Sequence, residues 1–424
     1  MMPVEQNDIP LAASIPFVIL LLLIAVMPLA FPHFWEKNRN KGVIAAIVSL
    51  PILIFLLLSF RIELWHTLSD YLSFIILLAS LYIISGGILL TGDIKATPAA
   101  NTIFLLIGGV ISNLIGTTGA SMLLIRPLLR TNSERNRTGH IPVFFIFIVS
   151  NIGGCLTPIG DPPLFLGYLK GVPFTWTLKL FPIWIFTFGI VLAIFYIWDR
   201  IAYAKETALA IRRDTAQIEP LRFSGLVNLI FLLGVILAVT FQVNAPYREL
   251  IMIAMTILSL LFTGKQIREK NRFTYHPISE VAVLFAGIFI TMVPIMLLLR
   301  MKGAELGITH PWQFFWYTGG LSSFLDNTPT YLTFFSLAQG VTGAAQSSGI
   351  SVIAGVQTDL LRAISCGAVF MGANTYIGNA PNFMVKSIAE EQKVKVPHFF
   401  GYMAYSGLIL IPIFIAVSLI FLGH

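Results

Sequence analysis

The chain has 424 residues, 56% of them hydrophobic and only 11% charged. Together with a mean hydropathy of +0.84, this excludes a soluble globular domain and points to a polytopic membrane protein. The net charge of +7 comes from Lys and Arg in short loops between apolar runs, a topology signal rather than a nucleic-acid surface.

In chain order, an acidic, lysine-free leader precedes an apolar run at 11–31. That run is too long for a signal-peptide core and reads as the first span. Spans are expected near 42–60 and 72–92. Basic clusters stand at Lys37, Arg39 and Lys41, and at 126–137, 200–222, 265–272 and 386–395. All five lie in the cytoplasm if 101–130 enters and leaves on that side as a re-entrant hairpin. A broken span near 141–170 and a whole one near 178–198 complete the first half, and 204–221 is the linker. The second half repeats the order: spans near 223–243, 247–264 and 279–299, a hairpin near 312–340 from the outside, a broken span near 350–391 and a last span near 399–422. The expected fold is an all-α polytopic membrane protein of two inverted-topology repeats, 1–210 and 211–424, with both termini outside. Outer-membrane barrels are excluded, because their strands alternate in polarity.

Local sequence supports the duplication. Thr157-Pro158-Ile159-Gly160-Asp161-Pro162-Pro163 is matched 218 residues on by Thr375-Tyr376-Ile377-Gly378-Asn379-Ala380-Pro381. Ser112-Asn113-Leu114-Ile115-Gly116-Thr117-Thr118 is matched by Ser322-Ser323-Phe324-Leu325-Asp326-Asn327-Thr328. Unpaired backbone groups in hydrocarbon cost several kcal/mol, so Gly and Pro clusters at membrane depth belong where they line a cavity or are buried in protein. These four motifs are therefore candidate binding elements, since freed carbonyls can hold a cation and half-helix N-termini an anion.

Asp161 and Asp326 are acids inside otherwise neutral motifs. A charged Asp at a helix centre costs roughly 2.5–3.5 kcal/mol, which a bound proton or small cation would offset. The competing reading makes both of them helix caps, a position Asp favours. Asn113, Asn151, Asn327, Asn374, Asn379, Thr117, Thr118, Thr157, Thr328 and Thr375, with Gly160 and Gly378 between them, supply neutral oxygens suited to Na⁺. The same side chains equally suit hydrogen bonds between helices. Na⁺ candidates are Asp161, Asp326, Asn327 and Asn379. His140, His276 and His398, each near a proline at a span start, read as interfacial, and Arg362 faces Asp359 three residues away. Cys155 and Cys366 form no disulfide framework or metal spacing.

Leu325-Asp326-Asn327-Thr328-Pro329 and Gly153-Gly154-Cys155-Leu156-Thr157-Pro158-Ile159-Gly160-Asp161 resemble the ion transporter superfamily, in particular its branch of NhaD-type sodium/proton antiporters and arsenite permeases, related to citrate and dicarboxylate transporters. Gly116-Thr117-Thr118 stands where such antiporters tend to carry a second Asp-Asn pair, and Pro162-Pro163 is reminiscent of the dicarboxylate branch. The resemblance implies an elevator-type transport unit of two hairpins and two broken helices, in which Asp326, Asn327 and Asp161 hold Na⁺ or protons, in a chain that is a homodimer in many relatives. The expectation is a bacterial inner-membrane transporter exchanging Na⁺ for H⁺, with no cofactor beyond these ions. A sodium-coupled symporter of citrate, a dicarboxylate or an oxyanion is the alternative. An intramembrane aspartyl protease is remote, because Pro158 occupies the first Gly of a Gly-x-Gly-Asp signature. No His-Glu-x-x-His, serine elbow or phosphate loop points to another enzyme.

Overall fold

The computed structural model describes residues 9–216, 218, 220–345 and 351–423. Most of the acidic leader, position 350 of the second broken span, Gln217 and Glu219 of the linker and the last residue of the chain lie outside the described residues. The protein is an all-α membrane protein: among the described residues, seven helices are long and apolar enough to cross a bilayer. Two short antiparallel pairs, Leu89–Thr91 with Arg222–Ser224 and Val352–Ile353 with Val356–Gln357, sit in connections.

Three spans open the chain: α1 (Ile15–Ala30), α2 (Asn38–Ser59) and α3 (Arg61–Ser85). They are followed by α4 (Pro98–Thr131), the half-helices α5 (His140–Ile148) and α6 (Pro162–Leu169), and α7 (Phe181–Ala204). The second half runs α8 (Val227–Thr240), α9 (Tyr247–Phe262), α10 (His276–Lys302), α11 (Pro311–Ser322) and α12 (Asn327–Ala344). It ends with α13 (Thr358–Met371), α14 (Ala380–Glu391) and α15 (Phe399–Phe421). The third span departs from the expected 72–92: the helix starts at Arg61, because Glu63, His66 and Asp70 extend it past the apolar stretch, and it stops at Gly86-Gly87. A side chain at Gly87 would stand 2.7 Å from the Asn228 amide, so α8 can approach only a glycine there.

Packing is reciprocal between the halves. α3 lies against α8 and α9, while α10 lies against α1 and α2. Phe74 of α3 stacks on Phe285 of α10 at 5.2 Å between ring centroids, where offset aromatic pairs add to burial.

Two segments fold back on themselves. α4 is helical throughout except at Gly116, whose φ of 77° and ψ of 154° reverse the chain. As a result the Asn101 amide donates to Asn132 Oδ1 at 2.9 Å and receives a bond of 2.8 Å in return; in a straight helix those residues would stand about 46 Å apart. The second reversal, between α11 and α12, brings the rings of Phe314 and Phe334 to 6.4 Å.

Ion pairs gather the basic clusters at one end of the bundle. Lys41 pairs with Glu280 at 2.7 Å, Glu391 joins Arg126 and Arg272, and Arg135 pairs with Asp199 at 2.6 Å. The hairpin of α4 has its base at this end. α12 packs beside Gly303, at the far end of α10, so the second hairpin opens in the opposite direction. His140 faces the protein interior rather than the surface: it is buried, with Nε2 3.0 Å from Asp199 Oδ1. A fully buried carboxylate needs partners on every lone pair, and Asp199 collects His140, Arg135 and Asn101.

Candidate functional site

The two helix breaks share one backbone design. After α5 the chain makes a tight turn, Ile152–Leu156, and a second turn over 157–160, and after Asp161 α6 begins with two prolines. Proline fits there because a first-turn N–H has no partner within the helix. After α13 comes the turn Gly372–Asn374, and α14 begins at Ala380-Pro381. Asp161 has φ −139° and ψ 141°, and Asn379 has φ −148° and ψ 142°.

The same bonds recur in each break. Thr157 Oγ1 donates to the Asn113 carbonyl at 2.5 Å, as Thr375 Oγ1 does to that of Ser323. The Gly160 N–H donates to Thr157 Oγ1 at 3.0 Å, and that of Gly378 to Thr375 Oγ1 at 3.1 Å. A Cβ at Gly160 would run into the Gly154 carbonyl, and one at Gly378 into the Gly372 carbonyl. Each break is thereby clamped to the tip of its own hairpin. In the first half a further bond, from the Thr117 N–H to the Gly160 carbonyl at 2.8 Å, closes the clamp.

All four motifs meet at the Asp161 carboxylate, which is fully buried. Thr117 Oγ1, at the first hairpin's tip, donates to Oδ1 at 2.8 Å. Asn327 Nδ2, at the second hairpin's tip, donates to Oδ2 at 3.1 Å. Asn379 Nδ2, in the second break, lies 3.4 Å from Oδ1. The carboxylate only accepts, so the Asn327 nitrogen must face it, with Asn327 Oδ1 2.7 Å from Ser322 Oγ, whose hydroxyl is shared with the Ala368 carbonyl. Every one of these residues stands at the start of a helix: Thr117 after the kink, Asp161 before α6, Asn327 at the head of α12 and Asn379 before α14. Side chains from three helix starts therefore meet a carboxylate that itself precedes a fourth, and among the described residues its hydrogen-bond donors are neutral.

A family model described as "Putative citrate transport" matches residues 6–422. The chain belongs to that family. It is accordingly a membrane transporter related to citrate transporters and not an enzyme, which sets aside the protease reading. No curated protein matches the chain.

Within this citrate-transport-family protein the other expected residues divide by position. Asp326 caps α12: its Oδ1 accepts from the Thr328 N–H at 3.0 Å, and its carbonyl accepts from Thr330 Oγ1 at 3.0 Å. The capping bond thus falls at Asp326, while the Asp161 side chain makes none. Asn113 is a brace, donating to the Gly153 carbonyl at 2.6 Å and accepting from the Leu156 N–H at 2.8 Å. Thr157 and Thr375 are braces too, and Thr328 is buried beside the second tip while Thr118 is half-buried beside the first. Asn374 lies away from Asp161: it donates to Ser323 Oγ at 2.9 Å and lines a cavity of about 210 Å³ with Trp316 and Ser406. Asn151 reaches the cluster through Asn379, whose Nδ2 lies 3.2 Å from Asn151 Oδ1. Sequence reasoning missed Ser150, Ser322 and Asn382, although an Asn directly after the proline of a helix break is itself a polar signal.

Proposed function

We propose that this transporter exchanges Na⁺ for H⁺ at Asp161, the two ions competing for the same carboxylate oxygens. The observation that carries the reading is a fully buried carboxylate whose hydrogen-bond donors, from both hairpin tips and the second break, are all neutral. Neutral donors leave the charge of a buried carboxylate unbalanced, which a bound proton or small cation offsets. Asn327 and Asn379 hold oxygens that can turn to a hard cation, and breaks in apolar helices are where transporters place coupling ions.

The reciprocal packing of α3 and α10 and the recurring bonds of the breaks support an inverted repeat of 1–210 and 211–424, with re-entrant hairpins entering from opposite sides. The end that gathers the basic clusters is cytoplasmic on this reading, the membrane is a bacterial inner membrane, both termini are external and the unit works as an elevator in a homodimer.

The family description favours one other reading, sodium-coupled uptake of citrate or a related anion. The assay that separates them uses everted vesicles carrying a preformed pH gradient. Sodium should dissipate the gradient with wild-type protein, and Asp161→Asn should abolish the response. If folded wild-type protein gives no response and labelled citrate accumulates only with sodium, the symport reading replaces this one.

A further inference from the structure

Besides the exchange of Asp161 for Asn379, the polar network around Asp161 breaks the likeness between the two halves on one flank. Asn151 and Asn382 are both fully buried and share a hydrogen bond, Asn151 Nδ2 donating to Asn382 Oδ1 at 2.7 Å. Their counterparts 218 positions away are Val369 and Leu164. A buried amide pair replaces an aliphatic pair on one flank of the breaks, and a buried amide is costly unless its groups are paired.

The pairing fixes directions. Asn382 Nδ2 donates to the Gly372 carbonyl at 2.8 Å and to the Thr375 carbonyl at 2.9 Å, two groups freed where α13 breaks. Carbonyls only accept, so the amide nitrogen of Asn382 must face them and its oxygen must face Asn151. Asn151 Nδ2 also donates to the Ile146 carbonyl at 2.8 Å, at the frayed end of α5. Both donors of Asn151 are then used, and its oxygen is left to Asn379. Asn379 in turn has its nitrogen directed at Asn151 Oδ1, at the Ser150 carbonyl 3.2 Å away and at Asp161. The one amide that touches Asp161 from the second break is thus oriented by the Ser150 carbonyl directly and, through Asn151 and Asn382, by the carbonyls of Ile146, Gly372 and Thr375.

We infer that Asn382, acting through Asn151, is a positioning residue that reinforces the Ser150 carbonyl in setting which end of the Asn379 amide faces the ion at Asp161. This deepens the exchange reading and rests on it. A cation at Asp161 takes the Asn379 oxygen only if the amide turns, and the Asn151–Asn382 pair holds the reference orientation against which that turn occurs. Asn382→Leu and Asn151→Val each install the residue already present at the counterpart position, so the substituted volume is one this fold accommodates.

The experiment measures sodium-dependent dissipation of the pH gradient in everted vesicles, together with thermal stabilisation of the purified full-length protein by sodium chloride against choline chloride. Each single variant should shift the half-saturating sodium concentration by about tenfold, as expected for a lost buried hydrogen bond to the site, and change the sodium-to-lithium preference with little loss of maximal rate. The double variant should shift no further than the larger single one, because both act through one bond. A purely structural role would lower yield and maximal rate and leave the half-saturating concentration and ion preference unmoved, and that result overturns the inference while sparing the exchange reading. Folded wild-type protein that ignores sodium in both measurements overturns both.

Discussion

At the scale of single residues the protein uses near-identical backbone to opposite ends. Asp161 and Asn379 share one conformation, yet one supplies the charge and the other a neutral amide that faces it. Sequence presented Asp161 and Asp326 as equivalent acids in broken segments. What separates them is side-chain direction: Asp326 turns onto the Thr328 N–H of its own helix, whereas the Asp161 oxygens are taken up by Thr117, Asn327 and Asn379 from three other elements. The glycines of the breaks were legible as punctuation, but their tolerance depends on what lies opposite. Gly160→Ala and Gly378→Ala each drive a methyl into a backbone carbonyl, and overpacking of this kind costs about 1–3 kcal/mol or more. Both should lower the thermal unfolding midpoint in detergent by several degrees, whereas Gly189→Ala, where a Cβ meets nothing within 4 Å, should leave it unchanged or raised.

At the scale of elements, α4 shows how a hairpin is encoded. The run Pro98–Thr131 is apolar enough for a single long span, and one positive-φ glycine converts it into two antiparallel halves. The base is then pinned by Asn101, Asn132 and Arg135 to the buried Asp199 of α7. This pin was not readable beforehand, because Arg135 sits in a stretch that composition marks as a loop and Asp199 lies 64 positions on. Removing one partner of a buried pair strands the other, at a cost of about 3–5 kcal/mol. Asp199→Ala should therefore destabilise the folded protein by about that amount and expose the 132–139 connection to protease, while Asp199→Asn, which keeps an acceptor, should do so less. Retained protease resistance in Asp199→Ala would show that the hairpin base is held by other means.

At the scale of the whole molecule, the ends of the two broken helices are tied to spans of the other group of helices. Lys170, just past α6, pairs with Asp70 of α3 at 2.5 Å, and Arg248 of α9 lies over the rings of Phe165 and Tyr168 at 5.9 and 5.5 Å. At the opposite end Glu391 of α14 pairs with Arg272, ahead of α10. If the hairpins and broken helices travel as an elevator against the remaining spans, the Lys170 contact must part in every cycle. In a double variant Asp70→Cys/Lys170→Cys, bridging the two thiols with a short bis-methanethiosulfonate reagent should then stop exchange and a reducing agent should restore it; exchange that continues in the cross-linked protein rules out relative movement of α3 and α6. The sequence by itself determined the all-α membrane class, the places where helices break and the positions where they turn back, because apolar length, glycine and proline act within a few residues of themselves. The tertiary structure alone decided that Asp161 rather than Asp326 is the meeting point, that His140 is an internal partner of Asp199, and that Asn382 has a part at all. Those outcomes rest on hydrogen bonds between residues as far as 166, 218 and 231 positions apart, whose partners are chosen by how the two halves pack and not by anything adjacent in the chain.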